Sequence, residues 1–435
     1  MRTMANAREV KNHAFAISRI SRRENRIGVP VRSNYLKFEK NNRRMTQNIL
    51  ILSDLHLCEG AHSENEDFFY DAEFAALLAH HEDRNSLLIL NGDIVDFLQV
   101  TSKGSFENLS ENEQRFGLGT DEAKSAFKMR VVMRAHKVFF AALARFLQKG
   151  NRAIILPGNH DVEFAWPMVQ NELRKNMVRL GGPIAGNNLE FHRWMVYIPG
   201  LLYVEHGHQY DPVNAFDYHL FPFLPDNHAQ LDLPLGSFLV RYFFNRLERT
   251  DPLADNFRPP TKYVGLMARK DPVYVVRILS TYIPCLFRTW VKSLRLFTKD
   301  ERRVMREAND ARMVEVSKVQ GIPMPMLREI ARMHHKSIMH QPFFWYNAFK
   351  SHLWSRSVPL ELPTALNIKR LLDVKYVVMG HTHNAYHAKG YYNSGTWTQM
   401  VTQKGFYTVG KRLTYVHVEN GRTYLREWTG QPQAS

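Results

Sequence analysis

The sequence predicts a layered α/β fold interrupted by a mainly helical insertion. Three observations carry this. Short apolar runs alternate with helical periodicity after residue 48. Each of the main runs ends in a small polar motif. A long basic and aromatic stretch then breaks the pattern before strands resume.

The elements follow in order. Residues 48–53 (NILILS) and 86–91 (SLLILN) are short runs rich in Ile and Leu, the mark of strands buried on both faces. Residues 71–80 between them have helical character. Residues 121–148 lack Pro and Gly and carry apolar side chains at helical spacing, so they predict one long helix closed by Gly150. Residues 152–156 (RAIIL), 201–205 and 375–379 (KYVVM) predict further strands. From Gly390 onward, short aromatic and β-branched runs flank Asn420-Gly421, a strong hairpin signal. Between about 212 and 367, Leu235, Phe238, Leu239, Tyr242, Phe243 and Leu247 recur at helical spacing, with Arg241, Arg246 and Arg249 among them. Basic helical character continues through 273–297 and 301–319, and 340–354 is strongly aromatic.

Composition bounds the chain. Its 435 residues, 44% hydrophobic and 12% aromatic, suffice for a sizeable core and argue against general disorder. The formal net charge is +16, and the first 44 residues hold twelve Lys and Arg against three Glu. Residues 1–45 are expected to be a basic, poorly ordered tail, with a solvated arm touching anionic surfaces as the alternative. Met45 would make a natural start just before the first strand. The tail lacks an apolar run suited to a signal peptide. The apolar stretch 273–297 is interrupted by Arg277, Arg288, Lys292 and Arg295, so no membrane span is expected. Two cysteines, Cys58 and Cys285, cannot build a disulfide framework and fit a reducing, cytoplasmic compartment. The expected division is a core of 46–211 with 368–430, and an insertion of 212–367 serving as a lid or an oligomer interface.

Five polar motifs occur in order: Asp54-Leu55-His56, Gly92-Asp93-Ile94-Val95-Asp96, Gly158-Asn159-His160-Asp161, His206-Gly207-His208 and Gly380-His381-Thr382-His383. Singly, D-x-H and G-D-x-x-D are weak signals, and a carboxylate there is also an ordinary helix cap. Each motif follows an apolar strand, however, so all five can converge on one edge of a sheet. Random polar loops would not repeat that placement.

The set resembles the calcineurin-like metallophosphoesterase superfamily over about 48–202 and 374–424. That resemblance implies a β-sandwich core flanked by helices. It implies that Asp54, His56 and His383 hold one divalent ion, that Asn159, His206 and His381 hold another, and that Asp93 bridges both. A bridging carboxylate keeps two such cations about 3.5–4 Å apart, so that both can grip one phosphate. The implied reaction is hydrolysis of a phosphomonoester, phosphodiester or diphosphate by in-line attack of a metal-bridging hydroxide. His160 is implied as general acid or electrostatic stabiliser of the leaving oxygen, with Asp161 orienting it. Asp96, His208 and Asp211 are candidates for orienting ligands, with turn or helix-start roles as the plainer alternatives. Asn393-Ser394-Gly395-Thr396-Trp397 resembles a small-residue turn that follows G-H-x-H in the family. An Asp/His/Asn set accepts Mn, Fe or Zn, and availability decides among them.

Within the superfamily, Phe97 after Asp96 and Asp161 in the third motif depart from the pattern of protein Ser/Thr phosphatases. Ser53-Asp54-Leu55-His56-Leu57 resembles UDP-2,3-diacylglucosamine diphosphatase, a family that also carries a helical lid between H-G and G-H-T-H. This chain departs from it in its larger insertion and in His160, where that family typically has Arg. A lipid-linked substrate and peripheral contact with an anionic membrane are therefore one expectation. A nuclease and a non-catalytic binding module are the others. His334, His335 and His340 are expected to lie on a surface or lid helix, since no Cys or carboxylate completes a familiar metal set.

Overall fold

The computed structural model describes residues 48–248, 265, 267–277, 280, 297–337, 361–402, 408–410 and 412–430. The basic tail, Cys285 and the aromatic stretch 340–354 lie outside them. In chain order the strands are β1 (Asn48–Leu52), β2 (Leu87–Asn91), β3 (Arg152–Leu156), β4 (Leu189–Phe191), β5 (Met195–Ile198), β6 (Leu202–Glu205), β7 (Tyr376–Met379), β8 (Tyr386–Ala388), β9 (Tyr391–Asn393), β10 (Met400–Thr402), β11 (Thr408–Gly410), β12 (Thr414–Glu419) and β13 (Arg422–Glu427).

Two main sheets form. The first runs β13-β12-β1-β2-β3-β4 and the second β5-β6-β7-β9-β8. Strands β1 to β4 are parallel to one another, and β6, β7 and β9 are parallel in the second sheet. β1 and β2 are buried along their whole length, as continuous apolar runs require when both faces of a parallel sheet are covered. Each buried Leu or Ile contributes about 1.5–3 kcal/mol relative to exposure. The hairpin β12–β13 turns at Asn420 and Gly421, both with positive φ, as its sequence signal requires. Because the strands are parallel, their C-terminal ends share an edge. The Asn91 side chain donates to the Glu205 carbonyl at 3.0 Å, and Gly380 N donates to the His206 carbonyl at 2.8 Å. The Asn91 bond ties the two sheets there, and the Gly380 bond extends the β6–β7 pairing within the second.

The single helix expected over 121–148 is two, Glu122–Ala135 and Lys137–Gln148, broken at His136. Periodicity alone does not register this break, because its cause is a side chain. His136 Nδ1 lies 3.0 Å from Asp71 Oδ2 and Nε2 lies 3.2 Å from Glu66 Oε2. Glu66 also accepts from Cys58 N and Gly60 N, so this trio anchors the loop that follows the first motif. Burial alone would lower the His136 pKa, but the Asp71 and Glu66 carboxylates push it up to about 9. An unfolded His titrates near 6.5. The folded value is the higher one, so the stabilisation is complete below about pH 6.5 and is lost as pH rises through about 9. The expected loss is of the order of 3 kcal/mol. Urea unfolding at pH 6 and pH 9.5 should show it, and His136→Gln should flatten it. Equal pH slopes in parent and variant would remove this assignment.

Helix Pro167–Asn187, kinked at Gly182, and the short strands β4 and β5 were not evident from periodicity. The expected helical character of the 212–367 segment is present in part: residues 212–234 form turns and irregular chain, and helices begin at Leu235. Residues 235–247 are helical with a π-turn over Val240–Phe244, and Lys299–Gln320 and Met324–Met333 are helices. These parts pack into the sheets. Phe216 and Leu231 join the core of the first sheet, and Met313, Val316, Leu327 and Ile330 join that of the second. Among the described residues no helix is long and apolar enough to cross a membrane.

Candidate metal centre

Every motif begins within a few residues of a strand end. Asp54 and His56 follow β1, Asp93 follows β2, Asn159 follows β3, His206 follows β6, and His381 and His383 follow β7. The edge that the parallel strands share therefore gathers all seven side chains. Among the described residues, two of the groups with ligand atoms within 4.8 Å of one another are Asp54, His56 and His383, and Asp93, His206 and His381.

The backbone is bent to achieve this. Asp54, His56, Asp93, His381 and His383 all have φ between 52° and 69°. A non-glycine residue there costs about 1–2 kcal/mol, and such strain concentrates at functional sites. A mesh of hydrogen bonds holds it. Asp54 N donates to Gly92 O, and Leu55 N and His56 N both donate to Asp93 O. The Asn393–Trp397 turn grips the same loop, because Thr396 Oγ1 and Trp397 N donate to Asp54 O at 2.7 and 3.2 Å. Ser53 Oγ bonds Asp54 Oδ2 and meets Ser394 Oγ at 2.6 Å.

Hydrogen bonds fix which atoms the histidines present. His206 Nδ1 donates to the Asn91 carbonyl at 2.8 Å, so its Nε2 carries the lone pair when the ring is neutral. His56 Nδ1 meets Asp96 Oδ2 at 3.0 Å, and its Nε2 stands 3.2 Å from His383 Nε2. His383 Nε2 is 3.3 Å from Asp54 Oδ1. Asp93 stands between the groups. Its Oδ1 accepts from His160 N at 2.8 Å, and its Oδ2 lies 3.1 Å from His206 Nε2 and 4.0 Å from His56 Nε2. Asn159 Oδ1 is buried with no hydrogen-bond partner, while its Nδ2 donates to Asn214 Oδ1 at 3.3 Å.

The charges agree with a site built for cations. Burial would raise the Asp54 and Asp93 carboxyls, yet the surrounding histidines hold both below the ordinary value, Asp93 well below it. Burial would lower His206, and Asp93 instead pushes it up to about 10. Buried carboxylates, imidazoles converging on them and an amide oxygen without a donor fit divalent metal ions.

Gly158 shows how tightly this is packed. A Cβ there would stand 2.1 Å from Asp93 Oδ1 and 2.6 Å from Asp93 N. Gly158→Ala is therefore expected to displace Asp93 and to weaken divalent-metal binding by about 10–100-fold. Weaker Mn²⁺ binding by calorimetry with an unchanged circular dichroism spectrum would support this. Parent-like affinity would show that Asp93 tolerates the shift.

Two expected roles are corrected. Asp161 does not orient His160. Its Oδ1 accepts from Gly158 N at 2.6 Å and its Oδ2 from Ile94 N at 2.8 Å, so it pins the third motif to the second. Burial, with Asp93 nearby, pushes it up to about 6. The carboxylate that meets His160 is Asp96, whose Oδ2 is 2.6 Å from His160 Nδ1. Its Oδ1 accepts from Leu98 N and Gln99 N, so Asp96 also shapes a turn, and no helix starts there. His208 bonds no candidate ligand. Its Nε2 meets the neighbouring Gln209 Nε2 at 3.0 Å, and its Nδ1 has no partner. Asp211 makes the contact instead, with Oδ2 3.2 Å from His381 Nε2.

His334 packs its ring against Trp194, Tyr210 and His219, and none of the metal-sized groups among the described residues contains His334 or His335. His340 lies outside the described residues. The sequence reading missed Asn214. The signal available for it was Asp211-Pro212-Val213-Asn214, a turn pattern directly after the fourth motif.

Strand ends that gather Asp, His and Asn around a central buried carboxylate define a candidate site for metal-assisted hydrolysis. Residues 47–238 match the family model of the calcineurin-like phosphoesterases. The match spans the first four motifs, and His381 and His383 lie beyond it. No curated protein matches the chain.

Proposed function

We propose that this protein is a divalent-metal-dependent phosphoesterase acting on a phosphomonoester, phosphodiester or diphosphate. The observation that carries the reading is Asp93 Oδ2, buried between two groups of Asp and His, with the unpartnered Asn159 Oδ1 beside them. Asp54, His56 and His383 would hold one ion, Asn159, His206 and His381 the other, and Asp93 both. When bound, such ions polarise the phosphoryl oxygens and lower the pKa of water. The chain's own groups do the rest. Asp96, buried and held ionised by His160 and His56, fixes a proton on His160 Nδ1. His160, with 16% of its side chain exposed, then offers Nε2 to the leaving oxygen. Asp161 keeps the third motif in register with Asp93.

A lipid-linked substrate is the second reading. It is supported by the helical stretch over the site, where Ser237 Oγ donates to Asn159 O and Leu239, Tyr242 and Phe243 are only partly buried. Further along, Val273 and Val276 are 74% and 65% exposed beside Arg269, Lys270 and Arg277. That combination suits an anionic lipid surface.

The test is hydrolysis by the purified protein in Mn²⁺ of p-nitrophenyl phosphate, bis-p-nitrophenyl phosphate, a UDP-linked acyl sugar and single-stranded DNA. Asp93→Ala is the control. Hydrolysis lost in the control supports the class, and the preferred compound chooses among monoester, diester, lipid and nuclease. Neither activity nor metal would favour a binding module.

A further inference from the structure

An asparagine amide presents two ends of nearly equal shape, and an imidazole two ring nitrogens. Asn159 and His381 must each turn a particular atom toward an ion. One short chain of hydrogen bonds determines both. Asp211 Oδ2 lies 3.2 Å from His381 Nε2 and accepts from Asn214 Nδ2 at 2.7 Å. Asn214 Oδ1 accepts from Asn159 Nδ2 at 3.3 Å.

The polarity of this chain is forced. An ionised carboxylate only accepts, so Asn214 turns its NH₂ to Asp211 and its carbonyl to Asn159. Asn159 then uses its own NH₂ on Asn214, and its Oδ1 is left buried without a partner. At the other end the carboxylate calls for N–H at His381 Nε2, which leaves the lone pair on Nδ1. Asp211 is itself braced, because its Oδ1 accepts from Val213 N at 2.9 Å.

The helical stretch beyond closes over the chain. A Cβ on Gly236 would stand 1.8 Å from Asn214 Oδ1, so only glycine leaves the amide where it is. Gly236 N donates to Val213 O at 2.8 Å, and Ser237 Oγ donates to Asn159 O at 3.0 Å.

We propose that Asn214 is a positioning residue of the metal centre. Through Asn159 and Asp211 it sets the atoms that Asn159 and His381 present to one divalent ion, and it leaves the Asp54, His56 and His383 group untouched. This rests on the proposed function.

The test is Mn²⁺ titration calorimetry and electron paramagnetic resonance on the full chain and on Asn214→Ala and Gly236→Ala. The second variant keeps every polar group and displaces only the amide, so a folding failure in one leaves the other. The parent should bind two Mn²⁺ with an exchange-coupled spectrum. Each variant should keep one ion at parental affinity and bind the other about 10–100-fold more weakly. Its spectrum at one equivalent should be that of an isolated Mn²⁺. Parental affinity for both ions, or equal weakening of both, would overturn the positioning role and leave the phosphoesterase reading standing. A parent that binds no Mn²⁺ would remove that reading and this one with it.

Discussion

Replacing Asp93 with Ala is expected to remove bound metal and hydrolysis together. Asp93 is almost fully buried, and its Oδ2 faces His206 Nε2 at 3.1 Å and His56 Nε2 at 4.0 Å, so one atom addresses both ligand groups. The neighbouring carboxylates have other partners: Asp161 accepts from Gly158 N and Ile94 N, and Asp211 from Val213 N and Asn214 Nδ2. Asp54 is committed to His381 N and His383, and Asp96 to His56 and His160. The rate should fall by more than about 10³-fold, in the upper part of what a single proton-transfer group supplies or beyond. The substitution also strips His160 N of its acceptor, and a buried unpaired N–H costs about 1–3 kcal/mol. Asp93→Asn separates the two effects, because its amide oxygen can keep that bond while the charge is lost. Metal content by atomic emission, activity and unfolding should be measured for both. Activity and metal lost in Asn as well as Ala, with stability kept in Asn, is the expected pattern. Full activity in either variant would sink the placement of Asp93 at the centre.

Much of the site was legible in the sequence for a physical reason. Ligands at the ends of parallel strands are tied to short apolar runs, and such runs are visible one residue at a time. Asp54, Asp93, Asn159, His206 and His381 could each be placed because NILIL, LLILN, RAIIL, LYVE and YVVM precede them. What was not legible depends on contacts between distant segments. The break at His136 arises from Glu66 and Asp71, about seventy residues earlier. The left-handed backbone of five candidate ligands leaves no mark in composition, since Asp and His, though enriched in that region, adopt other conformations far more often. Adjacency misled in the case of Asp161. It follows His160 in the chain but points to the backbone of Gly158 and Ile94, while Asp96, 64 positions away, meets the imidazole.

That last correction yields the second large effect. His160→Ala should retain both ligand groups and slow turnover by roughly 10²–10⁴-fold, the range for loss of a general acid. Asp96→Asn should slow turnover too. An amide in its place can no longer both accept from His160 Nδ1 as an anion and hold His56, so metal affinity at the His56 group should weaken as well. Asp161→Asn separates the two carboxylates. If Asp161 oriented His160, its amide would cost as much turnover as Asp96→Asn. Here both Asp161 oxygens accept backbone N–H groups, so an amide turns an NH₂ toward one of those donors. The expected loss is about 1–3 kcal/mol of stability, with turnover per folded, metal-loaded molecule reduced far less than in Asp96→Asn. Single-turnover rates at saturating Mn²⁺, paired with urea unfolding of each variant, decide the matter. A large rate loss in Asp161→Asn with parental stability would return the orienting role to Asp161, and metal loss in His160→Ala would make His160 a ligand rather than a proton donor.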